Sequence, residues 1–286
     1  MQFTQNVLLL LTSLAGLGAS APYYPYGPFR PRGIPVLGNV PYPNTTIAGI
    51  TVIDTPIVRL AREFARNHSD DATYKHQVRA WLFGSQIIAN NETLLNTVDI
   101  EVQAVAAILH DLGWDQTPDS PVTSLDKRFE VDGAIASTEF LKKYGGENWD
   151  HRRIQLVFDA IALHTTRTIA YYKEPEVYVT SQGIAIDYNG PERGVTNQTW
   201  QNIVTEYPNF DLIQATNETF TFVCAKKPSV TWGKTNPTDK FYISANYAYL
   251  DTQLQPWGDR YVPGYKESQS LRIDGIFTYL QSIQKK

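Results

Sequence analysis

An apolar segment that ends in a His-Asp pair constrains the fold of this chain more than any other feature. Residues 100–109 (IEVQAVAAIL) lead directly into His110 and Asp111. The apolar residues recur at helical spacing, which predicts a helix that starts at the cap Asp99 and faces a core. A buried His beside a carboxylate is costly unless both side chains have partners. A divalent cation would partner both, and the alternative is an ordinary helix end that Gly113 terminates.

The composition argues against several classes of function. The chain of 286 residues is 42% hydrophobic and 19% charged, as in ordinary globular proteins. Its formal net charge is −4, and no basic stretch is interleaved with aromatic residues. Nothing in the sequence therefore favours binding to nucleic acid or to an anionic membrane. There is also no Gly-rich phosphate loop and no Gly-x-Ser-x-Gly motif, and we expect a small-molecule substrate.

The first 49 residues have the pattern of a secretory leader followed by an extended arm. Residues 7–18 are mostly apolar and precede Ala19-Ser20-Ala21, which predicts a signal peptide over residues 1–21. This apolar run is shorter than the ~20 residues that a spanning helix needs, so we expect no membrane span after removal of the leader. Residues 22–49 are rich in proline and predict an extended N-terminal arm.

Features further along the chain agree with a secreted protein. N-x-Ser/Thr triplets, the acceptor pattern for N-glycosylation, occur at Asn44, Asn67, Asn91, Asn197 and Asn217. Cys224 is the single cysteine, so no disulfide can form within the chain. Its neighbours Phe220 and Phe222 alternate with threonines, which predicts a buried Cys224. Stability must then come from core packing, to which a bound metal could add.

Most of the chain has helical patterning, so we predict an all-α fold. Helical periodicity follows Thr55-Pro56 and the caps Asp70 and Asp150. The predicted helices cover residues 72–89, 126–144, 150–164 and 178–187, with a weaker pattern over 200–207 and a final amphipathic helix over 273–283.

Several segments resemble a known family. They are residues 74–84 (YKHQVRAWLFG), 107–113 (AILHDLG), 128–134 (RFEVDGA) and 160–165 (AIALHT). Together with the order His, His-Asp and a distant Asp, they make the chain similar to the HD-domain metalloproteins, and most similar to the fungal cyanamide hydratase-like branch. The resemblance implies a helical HD-domain bundle over residues 50–230. Residues 231–286 would then form a less regular C-terminal extension that ends in the amphipathic helix.

The same resemblance implies a site for one divalent ion, zinc or alternatively iron, with His76, His110, Asp111 and Asp187 as ligands. Two imidazoles and two carboxylates make a four-ligand site with room for water. Two of these residues have other readings. His76 could be a core histidine bonded to a backbone carbonyl, and Asp187 could begin the turn formed with residues 188–190.

The catalytic residues that the resemblance implies are Asp111, His164 and Glu130. His164 lies on an apolar helix face, where a hydrogen-bonded core histidine is as plausible as a proton-transfer residue. Glu130 could equally belong to a solvated helix face. The aromatic residues near the motifs could line an apolar pocket or pack in the core: Trp81, Phe83, Trp114 and Phe129.

The function that the resemblance implies is a hydro-lyase that adds water to a small nitrile-like substrate, so that cyanamide gives urea. A first alternative is an HD-type phosphohydrolase, which would need cations near the metal to hold phosphate. A second alternative is a secreted binding protein with a vestigial metal site. The sequence leaves all three open.

Overall fold

A computed structural model describes residues 42–227 and Pro263, and nearly all regular structure in that part of the chain is helical. The helices are α1 (Pro56–Asn67), α2 (Asp71–Ala89), α3 (Glu92–Thr97), α4 (Ile100–Leu109), α5 (Phe129–Tyr144), α6 (His151–Ala162), α7 (Arg167–Ala170), α8 (Pro175–Asn189), α9 (Asn197–Glu206) and α10 (Leu212–Lys226). The predicted all-α fold is confirmed. The signal peptide, the first part of the proline-rich arm and the final amphipathic helix are predictions that lie outside the described residues.

One antiparallel hairpin precedes the helices. It consists of β1 (Asn44–Ile47) and β2 (Ile50–Ile53). The two turn residues, Ala48 and Gly49, have φ angles of 50° and 77°. Positive φ at both positions is typical of the two-residue turns whose twist matches a hairpin. The backbone N–H of Ala48 donates to Glu206 Oε2 at 2.8 Å, so the end of the predicted arm is fixed to α9.

Helix α4 lies at the centre of the bundle. All its residues from Glu101 to Leu109 are buried, as expected for a helix that is apolar all round. Helix α2 packs against both α4 and α8. At Gly183 of α8, a Cβ atom would lie 2.5 Å from the carbonyl oxygen of Ala80, so only glycine permits this approach of the two backbones.

A buried charged network fixes the first turn of α4. Asp99 accepts hydrogen bonds from the backbone N–H groups of Glu101 and Val102, which is the predicted cap. Its carboxylate also accepts from Arg153 Nε at 2.8 Å, and Arg153 Nη2 donates to Glu101 at 2.7 Å. These bonds tie α6 to the first turn of α4. Because α4 is a rigid helix, they also fix the position of its other end, which leads into His110.

The structure differs from the predicted helices at several places. Helix α5 begins at Phe129 rather than at residue 126, and α8 begins at Pro175 rather than at residue 178. Helix α10 was not predicted, because phenylalanines and threonines alternate there. Threonine hydroxyls in this helix donate to backbone carbonyls one turn earlier, as that of Thr216 does to Leu212. The helix therefore provides hydrogen-bond partners for these hydroxyls. The predicted burial of Cys224 is confirmed.

The surface of the described part carries most of the glycosylation triplets. Asn44, Asn67, Asn91 and Asn197 are exposed, whereas Asn217 is half-buried in α10. Across residues 42–227, no helix has both the length and the apolar character that a membrane crossing requires.

Glu176, in the first turn of α8, makes the stability of the fold depend on pH. Burial raises the pKa of its carboxyl to about 7. The hydrogen bond that Oε1 accepts from the backbone N–H of Asp99 lowers the pKa, but by less than burial raises it. A raised folded-state pKa means that folding takes up a proton between about pH 4.5 and 7. The free energy of unfolding should therefore fall as pH rises through this window, by an amount of the order of 3 kcal/mol.

The variant Glu176→Gln keeps an acceptor oxygen and cannot titrate, so it should lose this dependence. Urea unfolding at pH 5 and pH 8 measures the effect, and Glu92→Gln at an exposed position is the control. A pH dependence that is the same in Glu176→Gln and in the parent protein would contradict the assignment.

Candidate metal centre

Two helices and the turn after α4 bring three potential ligands together. His76 comes from α2, His110 directly follows the last residue of α4, and Asp111 immediately precedes the 3₁₀ turn Leu112–Trp114. One ligand atom from each of these buried residues lies within 4.8 Å of the other two. The turn needs Gly113, because a Cβ atom there would lie 2.0 Å from the carbonyl oxygen of Phe129. Glycine thus lets the His-Asp turn pack directly on the start of α5.

Hydrogen bonds at the Nδ1 atoms fix the tautomers of three histidines. His110 Nδ1 lies 2.8 Å from the carbonyl oxygen of Ala107, and His164 Nδ1 lies 2.7 Å from that of Ile161. A carbonyl oxygen only accepts, so each Nδ1 carries a hydrogen, and in the neutral imidazole each Nε2 then keeps a lone pair. His76 Nδ1 lies 2.6 Å from a carboxylate oxygen and has the same tautomer.

The three Nε2 atoms surround the carboxylate of Asp111. The nearest is that of His110 at 2.9 Å, followed by those of His164 at 3.5 Å and His76 at 3.7 Å. The Nε2 atoms of His76 and His110 are only 3.2 Å apart. Neither oxygen of Asp111 has a hydrogen-bond partner, although both are buried. Lone pairs and a carboxylate that face one another in a buried space call for a cation between them.

The protonation states are those that a metal ion requires. Burial opposes the ionisation of Asp111, but His110 and His164 lower the pKa of its carboxyl well below the ordinary value. Burial lowers the pKa of His76, and this effect outweighs the opposing influence of Asp187. At neutral pH the cluster therefore contains an ionised carboxylate and a neutral imidazole, the forms that bind divalent cations.

Asp187, the fourth predicted ligand, lies beside the cluster of the other three, and its role as a ligand stays a prediction. Its Oδ2 is 2.6 Å from His76 Nδ1, and Arg79 donates to its two oxygens at 2.7 and 2.8 Å. Burial raises the pKa of Asp187, but the charge of Arg79 and the bond to His76 lower it overall. Because both oxygens are engaged, Asp187 orients the His76 ring. The turn that Asp187 could have begun starts later, since α8 continues to Asn189.

Sequence reasoning did not find the role of Arg79. Besides binding Asp187, it donates through Nη1 to the carbonyl oxygens of Tyr207 and Pro208 at 3.2 and 2.8 Å. Its position three residues after His76 is a signal that could have been used, because such residues share a helix face.

Of the other two predicted catalytic residues, His164 lies in the cluster, and Glu130 supports it from outside. His164 follows α6 and lies beside Asp111, so it belongs to the cluster of imidazoles. Glu130 is fully buried rather than solvated, and its carboxylate binds Arg128 and the hydroxyl of Thr165. Glu130 thereby holds the residue that follows His164.

Aromatic rings enclose the cluster. The Trp114 ring stacks near His76 with centroids 6.4 Å apart, and the Tyr188 ring lies 5.1 Å from His76. Phe129 contacts both Trp114 and His164, each at 5.6 Å, and Phe220 from α10 contacts Trp114 at 5.6 Å. Two of the four predicted pocket aromatics thus contact the site.

The other two predicted pocket aromatics pack in the core instead. Trp81 and Phe83 are fully buried on α2, and both belong to the main hydrophobic cluster of the bundle.

Comparison with protein families agrees with this geometry. Residues 73–191 match the family model described as HD domain. This segment of the chain is similar to the HD domain family. The HD-domain match extends from α2 to the end of α8 and includes the three clustered ligands, His164 and Asp187. HD domains are helical, and the proteins of the HD domain family are generally metal-dependent hydrolases. No curated protein matches the chain.

The residues of the matched segment fit a divalent metal ion. The set of His76, His110 and Asp111 offers two neutral nitrogens and one anionic oxygen, a combination that suits zinc or iron. Three protein ligands also leave positions for water and substrate, as in catalytic metal sites. The orphaned oxygens of Asp111 supply the structural reason for an ion.

Proposed function

We propose that this protein is a metal-dependent hydro-lyase that adds water to a small neutral nitrile such as cyanamide. The observation that carries the proposal is the set of imidazole Nε2 atoms and one unpaired carboxylate inside an aromatic enclosure. The site residues His76, His110, Asp111 and His164 are at most 5% exposed, which favours a small substrate. The predicted signal peptide would place this activity outside the cell.

The charges around the site also favour a neutral substrate. Arg79 is engaged by Asp187, Arg128 by Glu130 and Lys227 by Asp132. A phosphate ester needs cations that can turn toward its oxygens. Because these nearby cations already neutralise buried carboxylates, a nitrile needs less rearrangement of the site than a phosphate ester does.

The roles of the protein groups follow from their contacts. His76, His110 and Asp111 would hold the ion, and Asp187 keeps the Nδ1 hydrogen on His76. When bound, a divalent ion supplies Lewis-acid chemistry and lowers the pKa of water. His164 Nε2 lies 3.5 Å from Asp111, and its lone pair can take a proton from water and pass it to a substrate atom there. The aromatic rings exclude bulk water.

The reaction balances without another reactant. The water oxygen forms a bond to the nitrile carbon while one π bond of the nitrile breaks. His164 Nε2 takes a proton that the water loses and passes it to the nitrile nitrogen. A further proton shift from oxygen to nitrogen gives urea, so cyanamide and water are fully accounted for.

The HD-domain match favours one second candidate, a phosphohydrolase. One assay separates the two functions: metal-replete protein is incubated with cyanamide, with nucleotides and with phosphomonoesters, and the release of urea or phosphate is measured. We expect urea from cyanamide and no phosphate release. Phosphate release without urea would establish the second candidate, and inactivity of metal-replete protein on every substrate would favour a binding protein.

A further inference from the structure

Trp114 has a buried polar group with no partner. Its side chain is buried, and its indole Nε1 has no hydrogen-bond acceptor among the described residues. An indole N–H only donates, and an unpaired buried donor costs roughly 1–3 kcal/mol. Within the part of the chain that the structure describes, the Trp114 indole is therefore a buried donor without a partner.

The Trp114 ring that carries this donor belongs to the wall of the metal centre. The Trp114 ring is stacked on His76, at an interplanar angle of 19°, and borders Phe129, which contacts His164. Phe220 packs against the edge of the same ring system. The rings of the two phenylalanines offer no conventional acceptor. No described residue supplies an acceptor for the indole, so a molecule that enters the site can supply one.

We propose that the indole N–H of Trp114 is the donor that binds the acceptor nitrogen of the substrate, an inference that rests on the proposed function. A nitrile nitrogen accepts a hydrogen bond along its axis and is small enough for an aromatic enclosure. The bond would hold the substrate in one orientation, with its carbon toward the metal-binding residues. Trp114 cannot release its proton, so it binds and orients while His164 transfers protons.

Indole N–H signals in an NMR spectrum test this assignment directly. The chain has six tryptophans, so ¹⁵N-labelled, metal-replete protein gives few such signals. Spectra of Trp114→Phe and Trp81→Phe assign two of them. Trp81 is the matched control, because its Nε1 is also buried without a partner, while its ring lies under Arg62 in the core. Titration with cyanamide should shift the Trp114 signal saturably and leave the Trp81 signal unchanged.

Kinetics and metal content complete the test. Trp114→Phe keeps an aromatic ring and removes the donor, so KM for cyanamide should rise about ten-fold, the usual effect of one hydrogen bond. Metal content should stay at that of the parent protein, and Trp81→Phe should leave KM unchanged. Loss of metal in Trp114→Phe, or equal effects of the two variants, would overturn the proposal.

The NMR result also separates this inference from the proposed function. If cyanamide shifts the Trp114 signal but the parent protein releases no urea, Trp114 binds nitriles and the proposed reaction is wrong. If urea is released while the Trp114 signal stays unchanged at saturating cyanamide, the proposed reaction stands and the role of Trp114 is wrong.

Discussion

Asp111→Asn should leave the protein folded, without bound metal and without measurable activity. The substitution preserves the volume of a buried side chain and removes the one anionic ligand that lies next to three imidazoles. Without that charge, two neutral nitrogens hold a divalent ion poorly. We expect metal content to fall from about one ion per chain to near zero. Elemental analysis and the cyanamide assay measure both effects, and circular dichroism checks the fold.

The melting temperature adds an independent readout to this prediction. A ligand that binds only the folded state raises its stability, so a chelator should lower the melting temperature of the parent protein and zinc should restore it. Asp111→Asn should respond to neither. The matched variant is His164→Gln, which should keep its metal and lose about 10²–10⁴-fold in kcat. Loss of metal in both variants would place His164 among the ligands, and retention of metal in both would contradict the role of Asp111 as a ligand.

Arg79→Leu should destabilise the protein by about 3–5 kcal/mol. Arg79 and Asp187 form a bidentate pair whose side chains are at most 1% exposed. Removing the arginine leaves a carboxylate buried beside His76, and it also frees the carbonyls of Tyr207 and Pro208. Urea unfolding of metal-free protein gives the change in the free energy of unfolding without a contribution from metal binding.

The control for this experiment is Arg66→Leu. Arg66 also pairs with a carboxylate at 2.9 Å, but both partners are half exposed. Exposed ion pairs contribute about 0–1 kcal/mol, so this variant should unfold close to the parent protein. If Arg79→Leu had the same small effect as Arg66→Leu, the buried pair would not be a structural element, and the assigned role of Asp187 would need revision.

The core of the fold and half of the site follow from local sequence signals. The caps Asp70, Asp99 and Asp150, the apolar periodicity of the main helices and the glycine after the His-Asp pair all act within a few residues. Such signals survive in a single sequence, because a helix forms from contacts between residues three and four apart. The weak signal of α10 shows the limit, since threonines and phenylalanines fit a strand or a helix equally well until packing decides.

Only the tertiary structure decided which residues complete the site. The sequence identified His76, His110, Asp111 and Asp187 through a family resemblance, but it could not show that Asp187 binds Arg79. That pairing depends on the close contact of α8 with α2 at Gly183, across a separation of 108 residues. The sequence by itself thus determined the helices and the His-Asp end of α4. The bundle decided how each buried charge is satisfied, because that choice depends on which distant group lies within hydrogen-bond reach.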